Sequence, residues 1–199
     1  MSLQPKNELT FLMIKPDGVR RGCIGDVLRR VERCGLKIVA LKLVQASRDQ
    51  VDRFYPSNPQ WISRVGEKTL ATYKKFGYDP ITELGTEDSA QIGAMVREWL
   101  LDFMTSGPVV PMVIKGVHSV SKIRKLAGAT MPTDAEIGTI RGDYSFDSAA
   151  SANRDKRAVF NVVHATETVD EAQKEISHWF GPDEITDYRS AADAIMLPE

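Results

Sequence analysis

Apolar and polar positions recur along this chain with two different periods, and the switches between the periods divide it into elements. Glu8 to Lys15 is nearly continuous in apolar residues, which predicts a strand central in a sheet, and Pro16-Asp17-Gly18 ends it with turn chemistry. From Ile24 to Cys34 the period lengthens. Ile24, Val27, Leu28 and Val31 share a helical face, Arg29, Arg30, Glu32 and Arg33 lie largely opposite, and Gly35 suits a helix stop. Leu36 to Gln45 returns to period two, with Ile38, Ala40, Lys42 and Val44 against Val39, Leu41 and Leu43. That alternation predicts a strand with one buried face. Arg48 to Tyr55 reads as a short helix capped by Ser47.

Pro56 to Ala94 is broken by Pro56, Pro59 and Pro80. Between the prolines, Val65, Leu70, Tyr73 and Phe76 keep helical spacing, so the stretch reads as an ordered helical excursion and not as a linker. Ala90 to Met104 is helical again, with Ile92, Val96, Trp99, Leu100 and Phe103 on a core-packing side. Ser106-Gly107-Pro108 turns into a third strand, Val109 to Lys115, followed by a helix over Val117 to Leu126 whose face carries Lys122, Arg124 and Lys125. Gly128 to Arg157 is long and irregular, and loops of that length in compact domains are usually functional or disordered. Val159 to Val163 reads as a buried fourth strand, with His164 at its exit. Thr168-Val169-Asp170-Glu171 then has the form of a capping box, which predicts a helix from Thr168 to about Phe180 before a tail with a short helix.

Without the excursion the order is βαββαβ. This is an α+β, ferredoxin-like arrangement: an antiparallel sheet with helices on one face, plus a helical insertion, in a single domain over residues 1–199. At 199 residues, 42% hydrophobic and 27% charged, the chain is long enough to bury a core. A net charge of −1 gives no global field toward nucleic acid or membrane, so neither is expected as a partner. No apolar run is long enough to span a bilayer, and Met1 to Glu8 lacks the apolar core of a signal peptide. Cys23 and Cys34, at opposite ends of one helix, stand roughly 16 Å apart, too far to bridge. Two reduced thiols point to a cytoplasmic protein.

The chain has no Gly-x-x-x-x-Gly-Lys-Ser/Thr loop, no Gly-x-Gly-x-x-Gly fingerprint, and no His-Glu-x-x-His or Cys-x-x-Cys, so no metal held by the protein itself is expected. Cationic and polar groups recur at element ends instead: Lys15 after the first strand, Arg124 on the basic helix, Thr130 and Arg141 in the long loop, and Asn161 three residues before His164. A helix N-terminus just beyond His164 favours anions nearby. A lone histidine is more often a packing residue than a nucleophile, and a lone basic residue is usually solvated. If these residues converge, they supply what phosphoryl transfer needs: cations for the transferring oxygens, hydroxyl and amide donors, and a nucleophile.

Five segments, in order, carry a resemblance to the nucleoside diphosphate kinases: Ile14-Lys15-Pro16-Asp17-Gly18-Val19, Gln45-Ala46-Ser47, Thr105-Ser106-Gly107-Pro108-Val109-Val110, Gly138-Thr139-Ile140-Arg141-Gly142-Asp143 and Asn161-Val162-Val163-His164-Ala165. The family fold is the βαββαβ arrangement already read from the periods. The resemblance implies a ping-pong transfer, in which a nucleoside triphosphate gives its γ-phosphoryl to Nδ1 of a histidine matched by His164 and a nucleoside diphosphate then collects it. It implies that Glu175 orients the ring through the other nitrogen and that Tyr55 lies beside it. It further implies that Lys15 and Asn161 bond the sugar end, with Lys15 also reaching phosphate, and that Arg124, Thr130 and Arg141 hold the phosphates. Mg²⁺ is expected to arrive with the nucleotide, and the chain is expected to form a homo-oligomer.

The chain departs from the family pattern in three places. Thr166-Glu167 replaces the usual Ser-Asp after the histidine, keeping a hydroxyl and a carboxylate. Residues 57–95 contain an insertion of roughly 35 residues, and residues 145–157 add about ten more. Counting back from Ser106 puts Val96 where the family stacks a phenylalanine on the base. Trp61, Tyr73, Trp99 and Phe103 are the aromatic candidates to replace it. Two other readings stand beside this one: a non-catalytic nucleotide-sensing member of the fold, and an RNA-recognition module. The second is disfavoured by the absence of aromatics from Val109 to Lys115.

Overall fold

The computed structural model describes residues 5–197. The chain begins with β1 (Glu8–Ile14), α1 (Pro16–Arg20), α2 (Ile24–Arg33), β2 (Lys37–Leu41) and α3 (Arg48–Phe54). Three helices follow, α4 (Pro59–Phe76), α5 (Pro80–Leu84) and α6 (Ser89–Thr105), then β3 (Val110–Gly116) and α7 (Ser119–Ala127). Two short helices, α8 (Ile140–Tyr144) and α9 (Ala149–Arg154), precede β4 (Val163–Ala165), α10 (Val169–Trp179) and α11 (Ala191–Met196).

The four strands form one antiparallel sheet in the order β2-β3-β1-β4, the α+β topology that the order of elements implied. The apolar run of β1 reflects its place between β3 and β4, with burial on both faces. Leu12 and Ile14 face the two crossover helices, where Val27 and Val31 of α2 and Ile123 and Ala127 of α7 close one core. Phe11 and Met13 face the opposite way, onto Val51 of α3, Leu101 and Met104 of α6, and Ala172, Ile176 and Trp179 of α10. Helices therefore cover both faces of the sheet, not one. No face is left open for bases to stack on, as an RNA-recognition module requires.

Two strands differ from their periodicity. Strand β2 ends at Leu41, with an isolated bridge from Val44 to Val109, and its register against β3 shifts between Ile38 and Ala40. The extra residue lets neighbouring Val39 and Ala40 both be buried, breaking the alternation, and leaves Leu41 and Leu43 exposed. The fourth strand is Val163–Ala165, not Val159–Val163, because Val162 has φ +67°, a left-handed conformation outside any strand. His164 thus sits inside the strand and pairs with Met13.

Helix α10 starts as predicted, with the Thr168 hydroxyl accepting from Glu171 N–H at 3.2 Å. The box is half made, since the Glu171 carboxylate takes the N–H of Glu167 at 2.8 Å instead of that of Thr168. The N-terminus of α10 is therefore capped by Thr168, while the Glu171 carboxylate turns back onto the chain before it. Helices α4 and α6 pack backbone to backbone. A Cβ on Gly66 would drive into the Ser89 carbonyl, and one on Gly93 into the Ile62 carbonyl. Tyr73, Leu84 and Ile92 make a small core of their own there, with Val96 and Trp99 packed against it. The long stretch after Gly128 holds α8 and α9 and is ordered by side chains: Arg30 bonds Asp26, Asp143 and the Gly138 carbonyl, tying α2 to the segment that carries Arg141.

Candidate active site

The register of β1 against β4 builds the site. Ile14 pairs with Val163, so the next residue, Lys15, lies opposite Val162 and donates its backbone N–H to the Val162 carbonyl at 2.8 Å. Val162 is held in its left-handed conformation from both sides, because its own N–H donates to Asp17 Oδ2 at 2.9 Å. A β-branched residue at positive φ is strained, and these two bonds oppose its relaxation. The turn brings the Asn161 side chain against Lys15. Lys15 Nζ donates to Asn161 Oδ1 at 2.7 Å, and Asn161 Nδ2 donates to the Thr130 carbonyl at 2.9 Å.

Two strand positions beyond Val162, the His164 imidazole meets Glu175 of α10, with Nε2 2.6 Å from Oε1. Glu175 Oε2 accepts from the Thr166 hydroxyl at 2.5 Å, so both carboxylate oxygens are engaged. An ionised carboxylate has no proton to give, so this geometry selects the tautomer protonated at Nε2 and leaves a lone pair on Nδ1. Phe54 stands edge-on to the ring at 5.2 Å between centroids, and Tyr55 edge-on at 6.4 Å. The Tyr55 hydroxyl is buried with no hydrogen-bond partner, and burial together with the Glu175 charge pushes its pKa up, so it stays protonated. Tyr55 is fixed from behind by Arg97, which pairs with Asp52 at 2.8 Å and donates to the carbonyls of Asp52, Tyr55 and Pro56.

Lys15, Tyr55, Arg124, Thr130, Arg141, Asn161, His164 and Glu175 all line one cavity of about 500 Å³. It gathers five cations, Lys15, Arg64, Arg124, Arg141 and Lys174, against three carboxylates, Glu167, Glu171 and Glu175. Lys15 is buried, and burial with the nearby Arg141 charge lowers its pKa to about 8, against a partial offset from Asp17. Arg141 is lowered to about 10 by burial and by Arg124, with Glu167 opposing. Its guanidinium donates to the carbonyls of Gly128 and Val163 at 2.7 and 2.9 Å, while Nε is buried with no partner. Crowded cations and a buried, unpartnered guanidinium N–H suit a site for a polyanion. Among the described residues no group of three or more His, Cys, Asp or Glu could hold a metal ion.

The far wall is made by Trp61 and Arg64 of α4, Leu100 of α6 and Pro56. Of the aromatic candidates for the base, Trp61 alone reaches this cavity; Tyr73 and Trp99 belong to the small core between α4 and α6, and Phe103 to the main core. Asp17, Arg97 and Arg64 escaped the sequence reading. The first two act on backbone groups distant in sequence, and no residue pattern encodes that. Arg64 follows Trp61 by three residues on the same helix, a spacing that puts the two on one face. A larger hollow of about 860 Å³ lies between the C-terminal turns of α4 and helix α9, but it contains no histidine and none of the cavity's cations, so size does not identify the site here.

Comparison with known proteins shows the family. The family profile described as nucleoside diphosphate kinase matches residues 8–61 and 91–185. A curated nucleoside diphosphate kinase from Pyrobaculum aerophilum is 47% identical over 178 residues, covering 89% of this chain and 97% of the relative, and one from Pyrococcus furiosus is 38% identical over 94% and 91%. The crystal structure of an NDP kinase from Pyrobaculum aerophilum superposes with a TM-score of 0.88 at 45% identity, covering 91% of this chain and all of that one. A transition state mimic of the Borrelia burgdorferi nucleoside-diphosphate kinase, with bound vanadate and ADP, superposes at 0.72 with 34% identity over 97% and 98%.

Proposed function

The chain belongs to the nucleoside diphosphate kinase family and catalyses transfer of a γ-phosphoryl group from a nucleoside triphosphate to a nucleoside diphosphate, and we propose that the cavity around His164 is where it does so. The observation that carries this assignment is the commitment of His164 Nε2 to Glu175, which leaves Nδ1 with a lone pair in a cavity lined by Lys15, Arg124 and Arg141.

On this reading Nδ1 attacks the γ-phosphorus, the bond to the β,γ-bridging oxygen breaks, and the diphosphate leaves with that electron pair. The N–P bond then breaks when a terminal oxygen of the second diphosphate attacks, restoring the neutral imidazole. Glu175 stabilises the Nε2 proton as the ring gains positive character. Thr166 fixes the carboxylate, and Lys15, Arg124 and Arg141 offset the charge on the phosphoryl oxygens in both half-reactions. The Thr130 hydroxyl bonds phosphate, and Asn161 bonds the sugar while holding Lys15. The Tyr55 phenol, kept neutral, borders the ring without adding an anion to the phosphate site.

Mg²⁺ would enter with the nucleotide, as part of the substrate, and would offset phosphate charge there. Trp61 takes the base-stacking part, with Leu100 beside it. We read residues 57–95 and 145–157 as two insertions in a single domain that brace each other: Arg154 of α9 lies 4.6 Å over the Tyr78 ring and pairs with Glu83 at 3.4 Å. The stacking half of this proposal predicts that Trp61→Ala raises KM for nucleotides about tenfold with little change in kcat.

The test of the nucleophile is incubation with γ-labelled ATP and Mg²⁺. Acid-labile, base-stable label should appear on the protein, move to an added diphosphate, and be absent from His164→Ala. A folded wild type that takes up no label refutes the assignment.

A further inference from the structure

Three of the cavity's cations, Lys15, Arg124 and Arg141, are held differently. Arg141 is locked by two backbone carbonyls, and Lys15 by Asn161. Arg124 instead forms an ion pair with Glu167, Nη1 to Oε1 at 3.2 Å, and both partners are open to solvent, with side chains 36% and 66% exposed. Glu167 itself lines the cavity, with its backbone fixed by the bond to Glu171. A carboxylate therefore stands against the most solvent-open of these three cations. One of its oxygens meets the guanidinium, which is the kind of group a phosphate oxygen would also seek.

We propose that Glu167 is a built-in counter-ion that competes with the nucleotide's phosphates for Arg124 and so sets how tightly nucleotides are held. This rests on the reading of the cavity as the phosphate site. In the free protein Arg124 is already answered, so phosphate binding exchanges one oxyanion for another and gains only the difference. A ping-pong site must bind and release a nucleotide in each half-reaction, and an Arg124 with no competing partner would slow release. Glu167 acts through Arg124 and touches no reacting atom. It is a residue that tunes affinity, not a catalytic one.

Glu167→Gln keeps the size and hydrogen-bonding capacity of an exposed side chain and removes the charge. ADP affinity measured by calorimetry should rise about twofold to fivefold, the range set by the strength of exposed ion pairs. The ratio between variant and wild type should shrink toward one near 1 M salt, where screening acts over about 3 Å. Steady-state KM for the diphosphate should fall with no rise in kcat, a split that a merely structural role would not produce. In an Arg124→Met background the same substitution should have less effect, because its target is gone. Unchanged or weakened ADP binding in Glu167→Gln overturns the proposal, as does an equal gain with and without Arg124. A wild type that binds no ADP instead overturns the assignment of the cavity to phosphate.

Discussion

Lys15 should make the protein more stable as the solution turns alkaline. Its ammonium is buried, with one hydrogen bond to Asn161, and burial and the Arg141 charge lower its pKa from 10.5 to about 8. Below about pH 8 the lysine is charged in both folded and unfolded chains, and its burial is a cost that function imposes. Between pH 8 and 10.5 the unfolded chain keeps a proton that the folded one has released, so stability from this group rises with pH. Each unit is worth about 1.36 kcal/mol. The displacement of 10.5 − 8 = 2.5 units therefore sets a ceiling of about 3 kcal/mol, of which about 2 kcal/mol is gained between pH 7 and about pH 9.5. Lys15→Met has nothing to titrate there. Urea unfolding of both proteins at the two pH values isolates the effect from every other titrating group. The wild type should gain about 2 kcal/mol relative to Lys15→Met, and saturating ADP should abolish the gain by holding the ammonium charged. Parallel pH dependences in the two proteins, to within about 0.5 kcal/mol, would refute the reasoning.

Three further outcomes are expected. Glu175→Gln leaves Nε2–H facing a neutral carboxamide in place of a carboxylate, loosens the choice of tautomer, removes the charge that stabilises the ring, and should lower kcat by about 10²- to 10⁴-fold with KM little changed, read in steady-state kinetics. Gly93→Ala puts a methyl into the Ile62 carbonyl and should destabilise by about 1–3 kcal/mol or more, seen as a lower melting temperature. Asp17→Ala leaves the Val162 N–H without its acceptor and should cost about 1–3 kcal/mol, with phosphohistidine formation falling further than stability alone accounts for, since Asn161 and His164 flank the released turn.

The periods along the chain were enough to place most elements, because a strand or helix that buries one face must repeat its apolar residues with the geometry of that element. Helices α2, α3, α6 and α10, with Ser47 and Thr168 as caps, follow from local pattern within a residue or two. The five motif segments contain Lys15, Arg141, Asn161 and His164, the family resemblance they carry added Tyr55, Arg124, Thr130 and Glu175, and all eight line the same cavity. Pattern failed where a residue's environment is made by a distant segment. The alternation of β2 did not anticipate its bulge, because pairing with β3 sets it. The run from Val159 to Val163 did not reveal the left-handed Val162, because Lys15 and Asp17 hold that conformation from across the sheet. A count along the sequence put Val96 on the base wall, whereas the close packing of α4 on α6 at Gly66 and Gly93 leaves Val96 beside the small core and Trp61 at the cavity. Fold class, most element positions and the chemical inventory are local properties of the chain, and the sequence by itself determined them. Which faces are buried, which cation is locked and which is open to solvent, which nitrogen of His164 is free and which aromatic reaches the cavity depend on strand register and helix packing between residues far apart, and only the tertiary structure decided them.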